Sequence, residues 1–170
     1  MAGPIWKKQQ LFVLLAVISL AFLSGKCRAA EADTNGFARY ENEVRSTSWT
    51  NEWYTDASVP IEAYAHDRQK ADSLYLKKVW PLKGVVVSVR KVDATICVAV
   101  ASITTVADSE SELGLASSIY CYFSASQSKE LAELAPFDTV FLKGLGIGRD
   151  RAVPVFMGCV LVKTKRHGTR

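Results

Sequence analysis

Two tyrosines that are two residues apart are the side chains in this 170-residue chain best placed to contact a ligand. Tyr120 and Tyr122 lie in the run SSIYCYFS, whose β-branched and aromatic residues favour a strand. Because side chains alternate across a strand, both rings point to one side, and Ile119, Cys121 and Phe123 point to the other. Such rings can stack on nucleobases or sugar rings. The alternative is a structural role, in which a helix or the acidic loop at 104–116 covers both rings.

A glycine-rich segment, Gly144-Leu145-Gly146-Ile147-Gly148, leads to the charged tip Arg149-Asp150-Arg151. Glycine-rich loops can bind phosphate, but that chemistry needs a following helix with a lysine and a Ser or Thr, and a strand-like run follows here. We therefore predict a flexible turn between two strands. Arg149 and Arg151 at its tip are candidates for contact with an acidic ligand.

The sequence contains no recognisable pattern for catalysis or for metal binding. No serine, histidine and acidic residue form a triad motif, and no spacing pairs the scattered carboxylates. His66 falls among the polar residues of a predicted helix, and His167 lies near the C-terminus, far from it in sequence. We expect a protein that is not an enzyme, with no catalytic residues, no cofactor and no metal.

Residues 1–32 have the features of an export signal. Lys7 and Lys8 precede an apolar stretch from Leu11 to Leu23, and Ala30-Glu31-Ala32 places small residues where a signal peptidase cleaves. We expect a mature chain that begins near Asp33, in the periplasm or secreted, with no membrane span after cleavage. The alternative is an uncleaved anchor, but about 13 apolar residues are short for a bilayer that requires roughly 20.

Charge argues against nucleic acid as the partner. The whole chain has a formal net charge of +4, of which the predicted signal holds +3, so the mature chain is close to neutral. Four of the basic residues lie at the C-terminus, so residues 33–162 taken alone are slightly acidic. Proteins that bind nucleic acids usually present a basic excess. We therefore expect nucleic-acid binding to be weak, and we interpret the residues at 164–170 as a solvated basic tail.

The strands that would position the two tyrosines can be placed by composition. The run KVWPLKGVVVSVRKV from Lys78 to Val92 predicts a long first strand that bends at Gly84. Four further strands are predicted from similar runs, at Ala94–Ile103, Ser117–Ser124, Thr139–Leu145 and Ala152–Lys163.

Two helices complete the pattern. Ser58-Val59-Pro60 resembles a helix start, followed by an apolar stripe that runs to Tyr75, and a second helix is predicted at Gln127–Leu134. The resulting fold class is mainly β: a five-stranded OB-fold barrel with a leading α-helix and a helix between strands 3 and 4. The domains are then a signal peptide (1–32), a polar arm or linker (33–57), the OB-fold domain (58–163) and a basic tail (164–170).

Several motifs in this order resemble a known family. They are YAHDRQKADSLY from Tyr64, KVWPLKGVV from Lys78, YCYF from Tyr120, LAELAPFDTVFLKG from Leu131, and GCVL from Gly158. Together they resemble the tRNA_anti-like group of exported bacterial OB-fold proteins. The resemblance covers about residues 60–163 and implies an OB barrel, but it does not imply an RNA substrate.

Three cysteines remain after the predicted cleavage: Cys97, Cys121 and Cys159. Export would place them in an oxidising compartment. Strands 3 and 5 are neighbours in an OB barrel, so we predict a disulfide between Cys121 and Cys159, with Cys97 as a buried thiol. The alternatives are a Cys97–Cys121 bridge, or three buried thiols.

Two classes of function follow from these observations. The first is a binding module of the cell envelope that takes a small molecule, oligosaccharide, peptide or nucleotide on the barrel face, with Tyr120, Tyr122, Arg149 and Arg151 as candidate contacts. The second is an interaction or inhibitor protein that acts on another envelope protein. A flat apolar surface that includes Trp49 and Trp53 would favour the second class.

Overall fold

A computed structural model of the chain describes residues 34–48, 53–103 and 118–168. The predicted signal, Trp49 and the acidic loop lie outside these ranges. The elements in chain order are α1 (Thr34–Ser46), β1 (Thr55–Asp56), α2 (Ser58–His66), α3 (Arg68–Tyr75), β2 (Val79–Val92), β3 (Thr95–Ala101), β4 (Ser118–Ser124), a 3₁₀ turn (Ala125–Gln127), α4 (Ser128–Ala132), β5 (Thr139–Asp150) and β6 (Val153–Lys165). No described helix is long and apolar enough to cross a membrane.

The five long strands form a closed barrel, as the sequence predicts. Their order is β2-β3-β4-β6-β5, and β5 pairs with β2 to close the circle. The β4–β6 pairing is parallel, while the other pairings among these five strands are antiparallel. Helices precede the first long strand, and a helix lies between the third and fourth. The predicted fold class, an OB-like barrel with a leading helix and an inserted helix, is therefore confirmed.

Gly84 marks the point at which β2 changes partners. Residues up to Val85 pair with β5, and residues from Val85 onward pair with β3. A methyl group on Gly84 would lie 2.3 Å from the carbonyl oxygen of Ala101, so only glycine allows this close approach. The irregularity in the β2–β3 ladder itself falls slightly later, between Val86 and Ser88.

Alternation along the strands fills the barrel with apolar side chains. Each strand contributes residues that are almost fully buried, and each buried apolar side chain contributes about 1.5–3 kcal/mol relative to exposure. The largest fully buried side chains are Phe123, Phe156, Leu82, Ile119 and Leu142 from the strands, and Leu131 from α4. Burial on this scale gives the barrel a continuous core, so its outer faces are positioned by a packed scaffold.

The predicted leading helix is two helices. Asp67 has an extended backbone and caps α3, because its carboxylate accepts a hydrogen bond from the backbone N–H of Lys70 at 3.0 Å. Tyr64 of α2 and Tyr75 of α3 are buried, as the predicted stripe requires. Leu74, which also falls on that stripe in the sequence, is 41% exposed.

The predicted polar arm contains a helix that packs on the barrel. Phe37 and Val44 of α1 are buried, although the segment is polar overall. A methyl group on Gly158 of β6 would lie 2.5 Å from the backbone nitrogen of Glu41, which places α1 directly against β6. The apolar residues are seven positions apart, which puts them on one helical face.

The glycine-rich segment is not a turn. Gly144, Gly146 and Gly148 all lie within β5, and the turn that follows is formed around Arg151, whose φ is +55°. A methyl group on Gly146 would lie 2.2 Å from the backbone oxygen of Tyr75. These glycines therefore allow other parts of the chain to approach β5 closely. The prediction of a flexible turn at residues 144–148 was wrong, because these residues are part of the strand.

The segment after the last strand is anchored. Strand β6 continues to Lys165, and Arg166 then forms a 3.0 Å ion pair with Asp138, whose side chain is 3% exposed. The Asp138 carboxylate also accepts backbone hydrogen bonds from Ala135 at 3.0 Å and from His167 at 2.9 Å. The described part of the predicted tail is therefore held on the loop between α4 and β5.

Candidate ligand-binding faces

The predicted tyrosine pair lies on the outer side of the barrel. Ile119, Cys121 and Phe123 are in the core, and Tyr120 and Tyr122 point to the opposite side, which confirms the predicted alternation. Tyr122 is only 4% exposed and Tyr120 is half-buried. Little of either ring is open to a ligand, so this side of β4 offers a small contact area.

The two candidate arginines lie at the C-terminal end of β5. Arg149 and Arg151 are both exposed, at and next to the β5–β6 turn. Gly148 pairs with Val155, which in turn pairs with Tyr120, so Tyr120 lies two strands away from the glycine end of β5. Tyr122 is farther along β4. The register therefore places Tyr120 nearer than Tyr122 to the two arginines.

All three described cysteines are buried, and none of them is in a disulfide. Strands β4 and β6 are neighbours as predicted, but Cys121 is registered with Phe156 and not with Cys159. The two thiols nevertheless interact inside the barrel, and burial together with this contact raises the pKa of the Cys121 thiol. Cys97 is registered with Tyr122 and so points away from Cys121, which removes the geometric basis of the rival bridge.

A second outer face, formed by β2, β5 and β6, carries several lysines, which the side of β4 with Tyr120 and Tyr122 lacks. Phe141 on β5 pairs with Lys83 on β2 and with Lys163 on β6, so a lysine lies on each side of the ring. Lys143 lies two residues farther along β5, and Lys165 two residues farther along β6, on the same side. We call these five residues the lysine face.

The contacts of the lysine face leave its positive charge uncompensated. The Lys165 ammonium lies 5.6 Å from the centre of the Phe141 ring, and Tyr54 packs edge-on against the same ring at 5.1 Å. Lys143 donates to the carbonyl oxygen of Thr47 at 3.4 Å. Within the described residues, none of the four lysines is in an ion pair.

One carboxylate does lie in the same row of residues. Asp56 of β1 pairs with Lys83. Its oxygens, however, accept backbone hydrogen bonds from Ser58 at 3.0 Å and from Ile103 at 3.4 Å. Burial alone would raise the pKa of the Asp56 carboxyl, but the hydrogen bonds that it accepts outweigh burial and lower the pKa. Asp56 therefore stays ionised, and its oxygens are hydrogen-bonded to backbone N–H groups. Its single negative charge lies among four lysines, so the face is net positive.

The spacing of two residue pairs is a local sequence signal for this face. Phe141 and Lys143 are separated by one residue, as are Lys163 and Lys165, and that spacing places each pair on one side of a strand. The link between the pairs depends on strand register across the barrel, which composition alone does not provide.

The described chain also contains an apolar cavity of about 320 Å³ at the opposite side of β2 from β5, between the β2–β3 turn and α4. It is lined mainly by apolar side chains such as Val89, Ile96 and Leu131, and Lys91 also lines it. No cluster of His, Cys, Asp and Glu within the described residues could hold a metal ion. His66 is exposed, as expected for a surface residue.

No protein-family profile and no curated protein sequence matches this chain. Among solved structures, the chain is similar to a "putative nucleic acid-binding lipoprotein" of Klebsiella pneumoniae. The two share 17% sequence identity with a TM-score of 0.53, over 65% of this chain and 92% of that chain. At this identity the likeness supports the barrel fold alone, and the tRNA_anti-like group is not established by it.

Proposed function

We propose that this protein is a non-catalytic, exported OB-fold binding module of the cell envelope that binds an anionic ligand on its lysine face. The observation that supports this most strongly is the row Lys83–Phe141–Lys163, in which two lysines flank an aromatic ring and neither is in an ion pair within the described residues. The four lysines crowd positive charge onto one side of an otherwise nearly neutral mature chain. Such a concentration attracts anions and speeds their association.

The location in the envelope is part of the same proposal. It is supported by the predicted export signal at residues 1–32 and by the similarity to a protein described as a lipoprotein. The resemblance to the tRNA_anti-like group belongs here too, because the ordered motifs that carry it span the barrel. Protein recovered from an envelope fraction should begin at or near Asp33, and recovery of an intact Met1 from that fraction would exclude cleavage.

The lysine face is a better candidate than the tyrosine side for binding an anionic ligand. Tyr120 and Tyr122 are largely covered, and the arginines at 149 and 151 are separated from Tyr122. The alternative function, an interaction protein, is favoured by Trp53, which is 82% exposed. An exposed tryptophan fits a ligand with an apolar portion as well as it fits a protein partner.

A charge-removal experiment tests the proposed site. The double variant Lys83→Gln/Lys163→Gln removes two lysines from the face, and Lys70→Gln/Lys129→Gln removes two exposed lysines elsewhere, so both variants have the same net charge. With inorganic polyphosphate as the probe, titration calorimetry should show at least a tenfold loss for the first variant and less than a twofold loss for the second. Equal losses, or no binding by the wild type, would count against the proposal.

A further inference from the structure

Two exposed apolar side chains adjoin the lysine face in sequence. Trp53, at 82% exposure, directly precedes Tyr54, whose ring packs on Phe141. Val162, at 49% exposure, directly precedes Lys163 and lies where the β5–β6 ladder is irregular. Exposed apolar side chains thus directly precede two residues that belong to the lysine face or contact it.

We infer that the lysine face docks on an anionic phospholipid surface, an inference that rests on the proposed function and specifies its ligand. Lysine ammonium groups bind negatively charged headgroups, and their alkyl stems tolerate the apolar side of that boundary. Tryptophan favours the same boundary, since its ring is apolar and its N–H is polar. The face therefore presents the groups that a membrane surface attracts.

The shape and contacts of the face favour lipid over a nucleic-acid strand. A single strand requires open aromatic rings on which successive bases can stack. The central ring, Phe141, already has Lys165 over it and Tyr54 against it. The face is also the outside of a closed barrel, and the described cavity between the β2–β3 turn and α4 does not include any of its residues. A broad array of headgroups can contact separate lysines without entering a groove.

The expected size of the effect follows from the lysine count. Each lysine near an anionic leaflet strengthens binding by about fivefold, so removal of two should weaken it roughly 25-fold. The attraction extends only about 8 Å at physiological ionic strength, so binding should fall steeply as salt is added. Loss of the Trp53 ring should weaken binding in a manner that salt changes little, because its contribution is apolar.

The test is co-sedimentation of the mature protein with vesicles of phosphatidylcholine and anionic phosphatidylglycerol, against vesicles of phosphatidylcholine alone. Lys83→Gln/Lys163→Gln and Trp53→Ala are compared with Lys70→Gln/Lys129→Gln, after circular dichroism shows that all are folded. We expect binding to the anionic vesicles only, reduced roughly 25-fold in the lysine variant and unchanged within twofold in the control.

The other outcomes separate this inference from the function on which it rests. Binding of polyphosphate or of a single-stranded DNA oligonucleotide that depends on Lys83 and Lys163, without binding to anionic vesicles, would overturn the lipid inference and leave the anion-binding site in place. Equal binding to both kinds of vesicle would overturn it as well, since charge would then play no part. Absence of binding to every anionic probe would overturn both proposals.

Discussion

Neutralising Asp138 should be among the most destabilising single changes of charge in this protein. Its nearly buried carboxylate accepts hydrogen bonds from Arg166 and from the backbone N–H groups of Ala135 and His167. Hydrogen bonds to a charged group contribute roughly 1.5–3 kcal/mol each. Asp138→Asn keeps one acceptor oxygen and loses the ion pair, so we expect the free energy of unfolding to fall by about 3 kcal/mol. For a domain of this size, that lowers the Tm by about 10 °C.

The effect should depend on pH with a definite sign. Burial opposes ionisation of Asp138, but the hydrogen bonds and the Arg166 charge together lower its pKa below the ordinary value of 3.8. A lowered pKa gives stability that is fully present above 3.8 and is lost as pH falls through the folded-state value. The difference in Tm between wild type and Asp138→Asn should therefore be large at pH 7 and should shrink in acid below that ordinary value.

Thermal unfolding followed by circular dichroism measures this difference. Glu130→Gln, which neutralises an exposed carboxylate on α4, is the control and should change the Tm by no more than about 2 °C, because surface substitutions are usually within about 0.5 kcal/mol. An Asp138→Asn protein with wild-type Tm at pH 7, or a difference in Tm that does not narrow in acid, would refute the reasoning.

Three other predictions follow from the packing. Gly146→Ala should destabilise the barrel by about 3 kcal/mol in urea unfolding, because its methyl group meets the Tyr75 backbone, and a wild-type midpoint would contradict that contact. Gln127→Leu should cost about 2–4 kcal/mol, since the buried amide bonds two backbone groups of β6, and an unchanged midpoint would mean those groups find other partners. Protein recovered from an oxidising compartment should link Cys121 to Cys159, because their thiols touch. A non-reducing peptide map that shows both thiols free would reject the bridge.

The barrel could be predicted because its signals are local. Runs such as the one around Gly84 combine β-branched residues with a glycine, and their alternation fixes which side chains enter the core. Helix α1 was missed because its apolar residues, Phe37 and Val44, are few and are surrounded by polar ones. The glycines at 144–148 were assigned to a turn, since the sequence does not reveal that Tyr75 and α3 pack against them.

The candidate site was harder to predict because it depends on distant residues. Lys83, Phe141 and Lys163 are far apart in the chain, and only the pairing of β5 with both β2 and β6 brings them into one row. Net charge was a poor guide for the same reason, since a nearly neutral chain can concentrate its lysines on one face. The tyrosine pair was correctly oriented, yet its burial depends on tertiary contacts.

A backbone NMR titration tests the central claim most directly. The ¹⁵N–¹H spectrum of the mature protein would be followed as inorganic polyphosphate is added, with the amides of β2, β5 and β6 compared with those of β3 and β4. The account predicts that the largest shifts occur at Lys83, Phe141 and Lys163. Shifts centred on Tyr120 and Tyr122, or scattered evenly over the surface, would contradict it.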